Sequence, residues 1–332
     1  MKLVEHLQST PRTILGHWPT PFELLPRLTS ELGGPRIWVK RDDCTGLATG
    51  GNKTRKLEYL IGEAQQQKKE AVVTFGAVQS NHARQTAAAC AKVGLPCFLI
   101  LSDQVTSHDD RYKTGGNVLL DHILGAETHM VPANDPDAIR SILAELRARF
   151  DLYVIPGGGS NATGALGYAQ SVVELCSQVK EQDLGRTALI HASSSAGTQA
   201  GLLWGIHESE WQADVYGINV YHDDPETLTK TITSLLSDLD ERFATNSAES
   251  VSIHVNHAYR GDGYGQTNPE TIEAIQMLAR LEGLLFDPVY SGKAVNALVD
   301  QISVGAFAAY EDVIMVHTGG MPALNVYQSS FE

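Results

Sequence analysis

Short β-branched runs alternate with longer alanine-rich or amphipathic stretches along most of this chain, and that alternation most constrains its fold. RIWVK (36–40), AVVTF (71–75), CFLIL (97–101), a run near 127–131, LYVIP (152–156), TALIHA (187–192), DVYGINV (214–220) and DVIMVH (312–317) read as strands. Helices are predicted between and after them at 54–68, 80–93, 116–124, 135–149, 161–180, 197–208, 225–247, 268–282 and 291–303, with a short one at the end. Such an order implies an α/β protein with open, mostly parallel sheets flanked by helices. With 332 residues there is room for about two domains. The glycine cluster PGGGSNATG (156–164) is an expected break, and a second is expected just before Lys53. Residues 53–160 then form a smaller α/β domain inserted into a larger one made of 1–52 and 161–332.

Charge and composition exclude several classes of function. A formal net charge of −14 argues against binding a nucleic-acid backbone, which needs a basic face. It also disfavours a membrane surface, and no apolar run reaches the roughly 18 residues of a spanning helix. The start, MKLVEHLQST, lacks the apolar core of a secretory signal, so a cytoplasmic location is expected. Cys44, Cys90, Cys97 and Cys176 form no CxxC pair and read as thiols in a reducing compartment. No histidine spacing suggests a metal.

In parallel sheets ligands bind beyond the carboxyl ends of strands, so the loops there carry the functional reading. GAVQSNHARQ, SSSAGTQAG and TGGMPAL each place glycine beside hydroxyl or amide residues ahead of a helix. SSSAGTQAG (193–201) suits a phosphate cradle, because small residues let backbone N–H groups approach an anion. Nucleotide fingerprints fail: GxGxxG is absent, and Gly46–Gly51 has P-loop spacing with Asn52 where the lysine belongs. Lys53 instead opens a helix, where the dipole disfavours its charge, and a lysine of lowered pKa is a candidate Schiff-base former. A solvated helix-start lysine is the plain alternative. A phosphorylated aldehyde cofactor needs this combination of amine and distant phosphate cradle.

The motifs KRDDCTGLATGGNKTRKLE, GAVQSNHARQTAAA, GSNATGALGY, SAGTQAG, GYG, FDPVYSGKA and HTGGMPAL together resemble the aminocyclopropane-carboxylate (ACC) deaminase / D-cysteine desulfhydrase family. The resemblance runs from about Pro19 to Leu324, with the motifs in the family's order. It implies pyridoxal 5′-phosphate (PLP) as cofactor, the type II fold of tryptophan synthase β, a small amino-acid substrate and a homodimer. Lys53 is implied to hold the cofactor aldehyde as a Schiff base and to shuttle the α-proton, with Lys56 helping to grip the phosphate. Asn81 is implied to bond the pyridoxal 3′-oxygen, and Ser80 to meet the substrate carboxylate, where it reads otherwise as an N-cap. Ser195, Ala196, Gly197 and Thr198 are implied to cradle the phosphate. Tyr264 and Tyr290 are implied to flank substrate and cofactor, although a packed aromatic is the plain reading of Tyr264.

Ser291 and Thr318 bear on the reaction. Ring-opening members of the family carry glutamate and leucine at these positions, so the resemblance implies a neutral partner near the ring nitrogen. That suits loss of a leaving group from the β-carbon more than opening of a cyclopropane. The expected reaction is α,β-elimination giving pyruvate and ammonia plus sulfite, as in L-cysteate sulfo-lyase, or sulfide, as in D-cysteine desulfhydrase, with a slight lean to sulfite. ACC deamination and non-catalytic binding of the cofactor or an amino acid are the alternatives. A sulfonate needs cationic or multiple donors, for which His82, Arg111 and Tyr112 are candidates.

Overall fold

The computed structural model describes residues 2–105, 110–133 and 135–332. Its strands form two sheets. The larger sheet contains β1 (Phe22–Leu24), β2 (Arg36–Lys40), β7 (Thr187–Ser193), β8 (Ala213–Asn219), β9 (His254–Asn256) and β10 (Asp312–Val316), in the order β1-β2-β10-β7-β8-β9. The smaller contains β3 (Ala71–Ala77), β4 (Cys97–Asp103), β5 (Glu127–Pro132) and β6 (Leu152–Ile155), in the order β5-β4-β3-β6. Among the described strands only β1 runs antiparallel to its neighbour. The central strands are buried on both faces, as helix-covered parallel sheets require, so their apolar residues run continuously instead of alternating. All four strands of the smaller sheet come from 71–155.

Helix Lys53–Gln66 links the two sheets by packing on helix Ala162–Glu181. A buried ion cluster fixes it there: Arg55 Nη2 lies 2.8 Å from Asp42 Oδ1, and its Nη1 lies 2.8 Å from Glu174 Oε1. Tyr168 OH donates to Asp42 Oδ2 at 2.7 Å. A guanidinium this deep is tolerable only when its donors are matched by carboxylates, as here. Arg55 therefore sets where the first turn of the helix, and with it Lys53, can lie.

One difference from the expected elements has a local cause. The helix expected at 225–247 ends at Phe243, because Ala244 turns left-handed (φ 55°). The Asp240 carboxylate then accepts from Ser247 N at 2.9 Å and Ala248 N at 2.7 Å, capping a new turn. β1 and β9, helices Lys2–Gln8 and Pro26–Leu32, and the short turn Asp110–Thr114 are additional. No helix among the described residues is long and apolar enough to cross a membrane.

Candidate active site

A cavity of about 380 Å³ opens where the carboxyl ends of β3, β4, β7 and β10 meet. The loops singled out in the sequence converge on it. Lys53, Ser80, Asn81, His82, Tyr264 and Tyr290 line it, as do Ser195, Ala196, Thr198 and Thr318. Lys56, Gly197 and Ser291 lie behind its wall, and Arg111 and Tyr112 do not line it.

Lys53 is held by its neighbour. Its Nζ donates to Asn52 Oδ1 at 3.0 Å. The Asn52 amide is fixed in turn, its Nδ2 donating to Thr198 Oγ1 at 3.2 Å and its N–H to Thr318 O at 3.0 Å. The preceding loop is clamped by Arg84, which donates to Ala48 O and Thr49 Oγ1 and, at 3.0 Å, to Gly50 O. Burial pushes the Lys53 ammonium down to about 8, against the opposing pull of the Asp287 carboxylate. At pH 7 about a tenth is thus a free, nucleophilic amine, far more than for an ordinary lysine.

Another part of the cavity wall, close to Lys53, is built for an anion. Helix Gly197–Ser209 starts there, and Ala196 before it is held at φ 66°, away from the regions alanine prefers. Two glycines leave the space: a Cβ on Gly158 would fall 2.2 Å from Ser195 Oγ, and one on Gly197 would fall 2.6 Å from Ser160 Oγ. Lys56 Nζ reaches the same spot, donating to Gly158 O and Ser160 Oγ at 3.1 Å each. Burial, and then the nearby charge of Lys53, holds Lys56 well below the usual lysine range. A bound phosphate would relieve both effects by supplying the missing countercharge.

His82 has one tautomer that fits. Thr74 Oγ1 donates to Ile155 O at 3.0 Å, so it must accept from His82 Nε2, which lies 2.8 Å away. His82 Nδ1 is then a bare buried acceptor, without a partner among the described residues. Burial and the two lysines hold the ring neutral, well below its ordinary range. Ser80 both caps helix Asn81–Val93, accepting from Ala83 N at 3.1 Å, and lines the cavity. The hydroxyls of Tyr264 and Tyr290 hydrogen-bond each other, and burial raises both above the usual phenol range, so both stay protonated. One phenol proton is used between them, which leaves the other for a ligand.

Ser291 is fully buried, and its Oγ sits 2.6 Å from Asp287 Oδ2 and 3.1 Å from Gly319 O. Its hydroxyl is engaged there, not with the cavity. The cavity wall nevertheless contains a carboxylate, that of Asp287, which also accepts from Val289 N, Tyr290 N and Ser291 N at 2.9, 2.7 and 3.0 Å. The sequence reading passed over Asp287, although it stands in the quoted FDPVY. It also passed over Ser160, which precedes the Asn161 cap and bridges Lys56 to Ser195 Oγ (2.8 Å).

An amine of lowered pKa and a cradle for a phosphate, lining one cavity, fit a phosphorylated aldehyde. The family model described as "Pyridoxal-phosphate dependent enzyme" matches residues 13–319. The chain belongs to the pyridoxal-phosphate-dependent enzymes. D-cysteine desulfhydrase of Salmonella newport is 41% identical over 327 residues, covering 98% of each chain. A solved structure described as an ACC deaminase homologue superposes with a TM-score of 0.88 at 34% identity, covering 99% of this chain and 98% of that one. A PLP-dependent aspartate racemase shares the fold at a TM-score of 0.64 and 16% identity, covering 91% of this chain and 90% of that one. The two-sheet architecture is therefore the PLP type II fold, and the cofactor is pyridoxal phosphate. Lys53, Lys56, Ser160 and the Ser195–Thr198 turn are the residues here that fit it.

Proposed function

We propose that this PLP-dependent enzyme is a carbon–sulfur lyase that converts D-cysteine and water to pyruvate, ammonia and hydrogen sulfide. The observation that carries the choice of sulfide is the charge of the cavity. Among the described residues lining it, Lys53 is the single lysine or arginine. A sulfonate keeps its negative charge at every working pH and, once desolvated, needs a cation besides the one already committed to the cofactor. A thiol group is accommodated without one. This revises the slight lean toward sulfite, and similarity to proteins named D-cysteine desulfhydrase supports it.

Pyridoxal phosphate, when bound, supplies the aldehyde that takes up the substrate amine and the electron-withdrawing ring that stabilises negative charge at Cα. The chain's own residues do the rest. Lys53 Nζ, about half neutral near pH 8, takes the Cα proton. Ser80 Oγ and the N–H groups of the helix it caps receive the substrate carboxylate. The phenol of the Tyr264–Tyr290 pair that keeps its proton offers it to the departing sulfur. A homodimer belongs to the same proposal, and sedimentation of the holoenzyme measures it.

The deciding experiment assays D-cysteine, L-cysteine, L-cysteate and aminocyclopropane-carboxylate in parallel for ketoacid, sulfide and sulfite. Pyruvate with equimolar sulfide from D-cysteine is expected. Sulfite from cysteate as the main product, or 2-oxobutyrate from the cyclopropane alone, overturns the proposal.

A further inference from the structure

Behind the cavity wall, two side-chain amides form a relay whose orientation is dictated by backbone groups. Gln79 Nε2 donates to the carbonyls of Tyr112 (2.6 Å) and Gly115 (3.0 Å). Its Oε1 is left to accept the Asn117 N–H at 2.9 Å. Asn117 Nδ2 lies 3.0 Å from Gln79 O, a group that only accepts, so this contact fixes which end of the Asn117 amide is nitrogen. The same Nδ2 lies 3.0 Å from the side-chain oxygen of Asn81. That oxygen is therefore occupied, and the NH2 of Asn81 is the end left for the cavity that Asn81 lines. It makes no hydrogen bond among the described residues. Gln79 and Asn117 are 3% and 0% exposed, and neither lines the cavity.

An asparagine amide presents either an acceptor or a donor according to a half-turn of its last torsion, and the two ends are almost equal in shape. We propose that Asn117, held by Gln79, is a positioning residue that selects the donor end of Asn81 for the ring oxygen of the cofactor. The proposal rests on the reading that pyridoxal phosphate occupies this cavity with that oxygen toward Asn81. An NH2 directed at the ring oxygen stabilises its negative charge and lowers the proton affinity of the imine conjugated to it. An amide oxygen turned the same way acts in the opposite sense.

The test is the visible absorption of the purified holoenzyme, titrated with pH, alongside its cofactor content. In Asn117→Ala the cofactor stays bound, because the phosphate cradle is untouched, and the midpoint of the visible band rises by about one pH unit, a tenfold gain in proton affinity. Asn81→Ala gives a rise of similar size, and the double variant adds little to either, since the two act on one contact. Should Asn117→Ala fail to fold, the near-isosteric Asn117→Leu carries the test. It donates nothing to the Asn81 oxygen, leaves that amide unheld, and raises the midpoint by a similar amount. A midpoint unchanged in the folded Asn117 variant, or effects of the two alanine variants that simply add, overturns the proposal. A wild-type protein without the visible band overturns the reading of the cavity itself and the proposal with it, so the two failures are told apart by the unmutated protein.

Discussion

Asn52 Oδ1 accepts from Lys53 Nζ at 3.0 Å, so the residue that breaks the P-loop spacing is the one that holds the reactive amine. Because the Asn52 amide is pinned by Thr198 and Thr318 O, the amine is referenced to two strand ends of the larger sheet at once.

The cost of burying that amine is measurable in the cofactor-free protein. Burial holds the folded Lys53 near 8, against 10.5 for an ordinary lysine in an unfolded chain. Between them the unfolded state binds more protons, so this contribution to stability rises with pH from about 8 to 10.5 and is a constant penalty below. Lys53→Met should stabilise the cofactor-free protein by on the order of 3 kcal/mol at pH 7 and by much less at pH 10. Urea unfolding at both pH values checks this, and an equal difference at the two would refute it.

Among the described residues Lys56 meets only neutral oxygens, from Gly158 and Ser160, so its charge awaits the phosphate. Lys56→Met should weaken cofactor affinity about 10- to 100-fold, the worth of a charge-assisted hydrogen bond. Titration of cofactor-free protein with pyridoxal phosphate measures it; affinity within threefold of wild type would remove Lys56 from the grip.

Ser291→Glu should not create a cyclopropane-opening enzyme. The site is fully buried and already faces Asp287, so a second carboxylate meets both lack of space and like charge. Loss of several kcal/mol of stability is expected, against about 1–2 kcal/mol for Ser291→Ala. Thermal unfolding and a 2-oxobutyrate assay check both halves.

Tyr264 and Tyr290 share one hydrogen bond and should act as a unit. Each phenylalanine variant is expected to lower kcat/KM by about 100-fold, and the double variant little further. Fully multiplicative losses would show that the phenols act separately.

How legible the site was depended on whether a residue's role is local. Lys53 and the 195–198 turn announce themselves through glycines and helix starts that any chain reader meets in sequence. Ser291 does not, because whether a helix-start hydroxyl faces the cavity or an adjacent carboxylate depends on how Asp287 folds back over that start. Gln79 and Asn117 meet from positions 38 residues apart, and nothing in either segment foretells the other. The central strands were legible because burial on both faces leaves unbroken apolar runs. β1 and β9 were not, being three residues each and only partly buried.

Ala196, held at φ 66° beside the phosphate cradle, has a further consequence. An alanine kept there costs on the order of 1 kcal/mol or more, which the packing around the turn must offset. Glycine carries no such cost, so Ala196→Gly should hold the same turn with that offset released into net stability.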